Sequence, residues 1–206
     1  LKIRQSNNIP MARGLGSSSA CIVSGLVGAN LLLGSPMSRD EILNLAAQLE
    51  GHPDNVAPAL LGGLATAVLE NRKVYYVKQS LKQDLAFAAI VPDFELKTTV
   101  ARQAIPKQVA HRAGVFNLAR AAPMSVSLYS GNYHNLRIAA QDQLHQPYRL
   151  SLIPGAKETI NMLYNNGAYA AYISGAGSTL MGIVDKTNVD FARRVRHELD
   201  QMGRAS

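Results

Sequence analysis

The chain has 206 residues, 47% hydrophobic and 17% charged, with a formal net charge of +7. That supplies apolar material for one large domain or two small ones and argues against disorder. The single cysteine, Cys21, excludes an internal disulfide framework and fits a reducing, cytoplasmic compartment, where a buried, inert thiol in a helix is expected. The longest apolar stretch, residues 20–33, is broken by Ser24, Gly25, Gly28 and Asn30 and is too short for a membrane span, so no membrane partner is expected. The positive charge suits an anionic partner. Basic residues are scattered, with no run longer than Arg193-Arg194 and no tyrosine–arginine interleaving, which disfavours nucleic acid against a solvated basic surface and leaves a phosphorylated small molecule open as the anionic partner.

In chain order, residues 1–6 read as a short strand and residues 7–16 as a loop. A helix follows over 17–33 with Gly34 just past its end, rich in small residues and expected to pack closely. Ser38-Arg39-Asp40-Glu41 has capping-box spacing and opens a second helix. That helix carries Ile42, Leu45, Ala46 and Leu49 on one face and stops at Gly51, so Glu50 is its last residue. Residues 64–69 and 74–77 flank "ENRK" as a hairpin. Residues 84–91 form an apolar strand, and the chain between 78 and 83 makes a domain boundary, giving domains 1–80 and 81–206.

Two or three helices are expected over 98–140, and another is entered through Pro154 and closed near Gly167. A strand over 168–173, the turn "SGAGS", a strand over 179–184 and a helix over 189–202 complete an α+β order. In the second half that order suggests a split β-α-β, ferredoxin-like unit. Leu1 is not methionine, "LKIRQSNNIP" reads as a strand already under way, and "QMGRAS" leaves a helix where a strand can begin; a chain lacking material at its N-terminus, and some at its C-terminus, is therefore expected.

The stretch "IPMARGLGSSSA" puts two glycines and three serines at a helix entrance. Amides at a helix start have no partner inside the helix, and glycines let backbone approach an oxyanion. The string therefore reads as an anion cradle, against the plainer reading of a flexible loop whose serines cap an ordinary helix. It lacks the lysine of a Walker loop and the third glycine of a dinucleotide fingerprint.

The full string, with Pro10 four residues before Gly14, resembles the second motif of the GHMP kinases, P-x-x-x-G-L-G-S-S-[AS]-A, with Ser19 where alanine is usual. "LEGHPDNVAPALLGG", "TTVARQAIP", "QPYRLSLIPG" and the glycine-rich "YISGAGSTLMGI" resemble the homoserine kinase branch, so the similarity covers essentially the whole chain. The resemblance implies a GHMP kinase fold: the remainder of a ribosomal-protein-S5-domain-2-like N-terminal domain over 1–80, then a ferredoxin-like C-terminal domain over 81–206.

It further implies ATP-dependent phosphorylation of the L-homoserine hydroxyl, in threonine biosynthesis, with Mg²⁺. Pro10, Met11, Ala12, Arg13, Gly14, Leu15, Gly16, Ser17, Ser18, Ser19 and Ala20 match the segment that wraps the ATP phosphates. Ser18 and Glu50 match the metal ligands, Arg102 and Arg149 the groups for the acceptor carboxylate, and His52, Asp54 and Asn55 the acceptor lining. Asn55 would orient the hydroxyl; the base is unassigned, with Asp54 the nearby candidate. Gly175, Gly177 and Ser178 would support the site. A helix N-terminus contributes only about 0.3–2 kcal/mol to anion binding, whereas micromolar affinity needs roughly 8 kcal/mol. Metal and an adenine pocket must supply the rest, and no adenine slot is evident in this chain.

Two other readings stay open: another GHMP kinase of mevalonate type, and a catalytically silent nucleotide-binding fragment. The chain by itself is expected to have weak or no activity. Its oligomeric state is left between monomer and the homodimer common in the family.

Overall fold

The computed structural model describes residues 2, 4–81 and 84–205. They form two compact units, one of Leu1–Met11 with Leu15–Leu81, the other of Ala12–Gly14 with Lys82–Ser206. Leu1 and Ile3, part of the expected first strand, lie outside the described residues, as do Lys82 and Gln83; residues 4–8 are in no strand. No helix among the described residues is long and apolar enough to cross a membrane.

In the first unit, α1 (Ser17–Leu32) is followed by α2 (Arg39–Glu50), α3 (Val56–Leu61) and the strands β1 (Leu64–Glu70) and β2 (Lys73–Gln79). Helix α1 ends where Gly34 takes φ 81°, a left-handed conformation that costs a glycine little. The turn beyond is clasped by buried Asn30, whose side chain donates to Met37 O at 3.0 Å and accepts from Met37 N at 2.9 Å. Close packing of α1 holds only on one face. Val23 is buried, but Leu31, Leu32 and Leu33 are 66–76% exposed, and a Cβ at Gly25 or Gly28 would meet nothing within 4 Å. Nor is Cys21 fully buried; its Sγ accepts from Gln5 Nε2 at 2.7 Å.

Helix α2 starts in a complete capping box: Ser38 Oγ accepts from Glu41 N, and Glu41 Oε2 accepts from Ser38 N at 2.7 Å. Its buried face is Ile42, Leu43, Ala46 and Ala47, while Leu49 is 62% exposed. The expected stripe was rotated by about one residue, because the helix seats between α1 and the hairpin and both neighbours take a share of its surface. The hairpin is longer than expected. Glu70 pairs with Lys73, leaving a two-residue turn in which Asn71 and Arg72 both have positive φ, the twist that matches antiparallel strands. Arg72 is an uncommon residue there, and Gln48 of α2 secures it, accepting from Nε at 2.9 Å and donating to its carbonyl at 3.1 Å.

The second unit contains β3 (Leu85–Ile90), α4 (Thr98–Gln103), α5 (His111–Ser130), α6 (Leu136–Ala139) and α7 (Gln146–Arg149). After a 3-10 turn come α8 (Ala156–Asn165), β4 (Ala170–Ile173), β5 (Leu180–Asp185) and α9 (Phe191–Ala205). The sheet order is β3-β5-β4, antiparallel throughout, the arrangement of a split β-α-β unit. Met162 and Leu163 of α8 pack with Phe191 and Val195 of α9 over Ala171 and Val184. Leu96, Ala101, Ile153 and Ala156 form a further core on Ile173 and Leu180, where β4 and β5 join. That second core underlies the glycine turn.

Candidate active site

The N-cap of α1 is Gly16 at φ 74°, and no side chain caps the helix, so the serines do not serve as caps. The first loop amide with a carbonyl partner is Ala20 N, which donates to Gly16 O at 3.0 Å. Backbone N–H groups of Leu15, Gly16, Ser17, Ser18 and Ser19 have no acceptor among the described residues. Five successive donors thus stay open at the positive end of a 16-residue helix.

Glu50, the last residue of α2, points at that helix start. Its Oε2 accepts from Ser18 Oγ at 3.2 Å and its Oε1 from Ser19 Oγ at 3.0 Å. A carboxylate at a helix C-terminus is disfavoured by the dipole, and two hydroxyl donors with the N-terminal dipole of α1 offset that cost. Ser19 is 1% exposed, whereas Ser18 faces solvent. One hydroxyl and one carboxylate form a hard oxygen set of the kind Mg²⁺ takes beside phosphates and water.

The turn after Gly51 gathers His52, Asp54 and Asn55. His52 Nδ1 lies 2.6 Å from Asp54 Oδ1, and the same oxygen accepts from Asn55 N at 2.9 Å. Asp54 is therefore occupied with its own turn. Asn55 shares the wall of an open cavity of about 380 Å³ with Leu15, Gly16, Ala20 and Ser24. A Cβ on Gly16 would sit 3.5 Å from Asn55 Oδ1, so the amide reaches the loop in ordinary contact.

In the second unit, residues Ala12–Gly14 are held through three consecutive carbonyls. Leu96 N donates to Ala12 O at 3.3 Å, Thr179 N to Arg13 O at 3.1 Å, and Ser174 Oγ to Gly14 O at 2.7 Å. Across a trans peptide the N–H opposes the C=O, so this grip turns the amides of Arg13 and Gly14 the other way. Gly14 has no substitute: at φ 75°, its Cβ would fall 2.1 Å from Ser174 O. Gly175 lies against Gly14, while a Cβ on Gly177 would meet Ile153 and Leu96 at 3.0 and 3.1 Å. Ser178, fully buried, donates to Phe94 O at 3.1 Å. Gly177 and Ser178 thus shape the turn from the core side. Ser174 escaped the sequence reading; only its place beside the glycine turn could have signalled it.

Arg149 closes α7 with three contacts. Nε donates to Ala101 O at 3.3 Å, Nη1 donates to Gly175 O at 3.0 Å, and Nη1 lies 3.4 Å from His145 Nδ1. None of these partners is an anion. Burial, with the Arg102 cation nearby, lowers Arg149 from the usual guanidinium value, although Asp142 opposes the shift. Arg102 occupies the last turn of α4 and is exposed. Two guanidinium groups near enough to repel make a place where a carboxylate is stabilising.

Residues 1–63 match the GHMP kinases N terminal domain and residues 124–200 the GHMP kinases C terminal family. A homoserine kinase of Clostridium botulinum (strain ATCC 19397 / Type A) is 38% identical over 98% of this chain and 68% of its own length. The chain belongs to the GHMP kinase family. Within this family, a homoserine kinase of Clostridium beijerinckii is 47% identical over 95% of this chain and 66% of its own length. The crystal structure of homoserine kinase from Cytophaga hutchinsonii superposes with a TM-score of 0.84 at 27% identity, covering 95% of this chain and 64% of that one. This GHMP kinase chain therefore spans about two thirds of the length of the relatives it matches, 66% and 68% of the two Clostridium enzymes.

Proposed function

We propose that the intact protein transfers the γ-phosphoryl group of ATP to the side-chain hydroxyl of L-homoserine, giving O-phospho-L-homoserine and ADP for threonine biosynthesis in the cytoplasm. The observation that carries this reading is the run of five open amides, Leu15–Ser19, contiguous with the Ser18–Glu50 pair. Open amides of this kind bind phosphate oxygens, and a hydroxyl with a carboxylate fits Mg²⁺. Bound Mg²⁺ supplies charge compensation to the phosphate oxygens.

The chain's own residues supply position. In this proposal Arg102 and Arg149 hold the acceptor carboxylate, His52 and Asn55 line the acceptor, and Asn55 orients its hydroxyl. The hydroxyl oxygen forms the new bond to the γ-phosphorus as the bond to the bridging oxygen breaks, and the hydroxyl proton leaves to a phosphate oxygen. No side chain is assigned as base. Asp54, whose Oδ1 is engaged by His52 and the Asn55 amide, is poorly placed to act as one. Residues 1–80 and 81–206 are the phosphate-binding and C-terminal domains in this reading.

A coupled assay of ADP release by the intact protein tests it, with L-homoserine, mevalonate and galactose as acceptors. Turnover confined to homoserine is expected. Turnover on mevalonate would transfer the reading to another small-molecule kinase. Nucleotide binding without turnover on any acceptor would mark a silent binding protein.

A further inference from the structure

We propose that Asp142 is a positioning residue for Arg149, a buried carboxylate that builds the single-turn helix from whose end the guanidinium is presented to the acceptor's carboxylate. The inference rests on the reading of Arg149 given above and assigns a residue that the motifs do not contain.

The Asp142 side chain is 6% exposed, and burying a carboxylate is unfavourable unless donors surround it. Four do. Asn117 Nδ2 of α5 donates to Oδ1, Leu144 N donates to Oδ1 at 3.1 Å, and His145 N and Gln146 N donate to Oδ2 at 2.8 and 2.5 Å. One carboxylate thus captures three successive amides and starts α7. A helix of four residues cannot stand on its own propensity, and its N-cap His145 supplies no side-chain bond, so its entry rests on the amides that Asp142 gathers.

The helix so started is fastened at both ends. Gln146 Oε1 accepts from Ile173 N of β4 at 2.9 Å, and its Nε2 donates to Ala140 O at 3.1 Å. At the other end Arg149 spends Nε and Nη1 on Ala101 O and Gly175 O. His145 stands between acid and base, its Nε2 3.9 Å from Asp142 Oδ2 and its Nδ1 3.4 Å from Arg149 Nη1. Nη2 of Arg149 takes no acceptor among the described residues, and that edge is left for a ligand. Moving α7 by even 1 Å would misdirect it.

The test measures steady-state kinetics of the intact protein as wild type, Asp142→Asn and Arg149→Lys, with L-homoserine and with L-homoserine amide, which lacks the carboxylate charge. Where the amide is turned over too slowly, its inhibition constant against homoserine serves. Asp142→Asn puts an amide NH₂ among N–H donors; we expect kcat/KM for homoserine to fall roughly 10–100-fold, mainly through KM. KM for ATP and the constants for the amide should move less than about twofold. Equal losses on both acceptors, or no loss on homoserine, would overturn the inference. An Arg149→Lys variant that loses equally on both acceptors, or on neither, overturns the underlying role of Arg149 instead. If Asp142→Asn does not fold, Asn117→Ala removes one of the four donors, and the same selectivity is required of it.

Discussion

Ser19 Oγ donates to Glu50 Oε1 at 3.0 Å, from a residue that is 1% exposed. Its neighbour Ser18 holds the other carboxylate oxygen from the solvent side. The two hydroxyls are not equivalent. In the proposed function exposed Ser18 would be the metal ligand, while buried Ser19 would aim the carboxylate. Ser18→Ala and Glu50→Gln should therefore both reduce kcat strongly and raise the Mg²⁺ concentration needed for half-maximal rate. Ser19→Ala should lose one hydrogen bond to a carboxylate, about 1.5–3 kcal/mol, or roughly a 12–160-fold fall in kcat/KM, without raising the Mg²⁺ requirement. Magnesium titrations of the three variants separate the roles.

Glycine substitutions should divide sharply. Gly14→Ala drives a Cβ to 2.1 Å from Ser174 O at positive φ, and no flexible side chain is available to yield. We expect it to abolish ATP binding and to lower the melting temperature. Gly28→Ala, in a helix interior with nothing within 4 Å, should instead stabilise this chain by about 0.5–1 kcal/mol. Thermal denaturation of the pair reads both outcomes.

The capping box at Ser38 gives a local test. Ser38→Ala removes the acceptor for Glu41 N and the hydroxyl that donates to Glu41 Oε2, leaving only the backbone bond from residue 38, at a cost of about 1 kcal/mol. Denaturant titration should show a lower midpoint with unchanged slope.

Acid should destabilise the second unit through Asp142. Burial raises its pKa, but hydrogen bonds from Asn117 and the amides of Gln146, His145 and Leu144 outweigh burial and hold it below 3.8. A depressed carboxylate contributes stability that is present above its unfolded value and lost as pH falls through the folded one. The stability gap between wild type and Asp142→Asn should accordingly close below about pH 4. His145 is lowered from 6.5, first by burial and then by the Arg149 charge, against the attraction of Asp142. The unfolded chain therefore binds its proton first, and a loss of the same sign begins nearer pH 6.5.

Alkali acts on Tyr133. Burial, then the hydrogen bond to Asp84 at 2.7 Å, pushes its hydroxyl up to about 12 from 10.0. A raised phenol contributes stability below its unfolded value that is lost as pH climbs toward the folded one. Unfolding measured between pH 10 and 12 should show this loss in wild type and a flatter curve in Tyr133→Phe.

Local signals were the legible ones. Gly34, Gly51 and the Ser38–Glu41 pattern marked helix ends that the backbone adopts, because each is decided within a few residues. Position in the packed molecule was harder to read. Whether α2 buries Leu43 or Leu49 depends on what seats against it, and the periodicity of an isolated helix is silent on that. Glu50 and Ser18 were nameable from motifs, but Ser19 entered only as a departure from the usual alanine, with nothing to mark its hydroxyl as buried against Glu50. Asp142 was missed altogether, since a lone aspartate in "QDQLH" carries no pattern until its four donors are seen together.

The hold on residues 12–14 has a consequence for how the protein comes into being. Ser174 grasps a carbonyl 160 positions earlier, and Thr179 grasps the one before it. A ribosome that has emitted the glycine loop cannot deliver the groups that set its shape until more than a hundred further residues have emerged. Nascent chains halted ahead of β5 should therefore be blind to nucleotide, however well their first helices have formed.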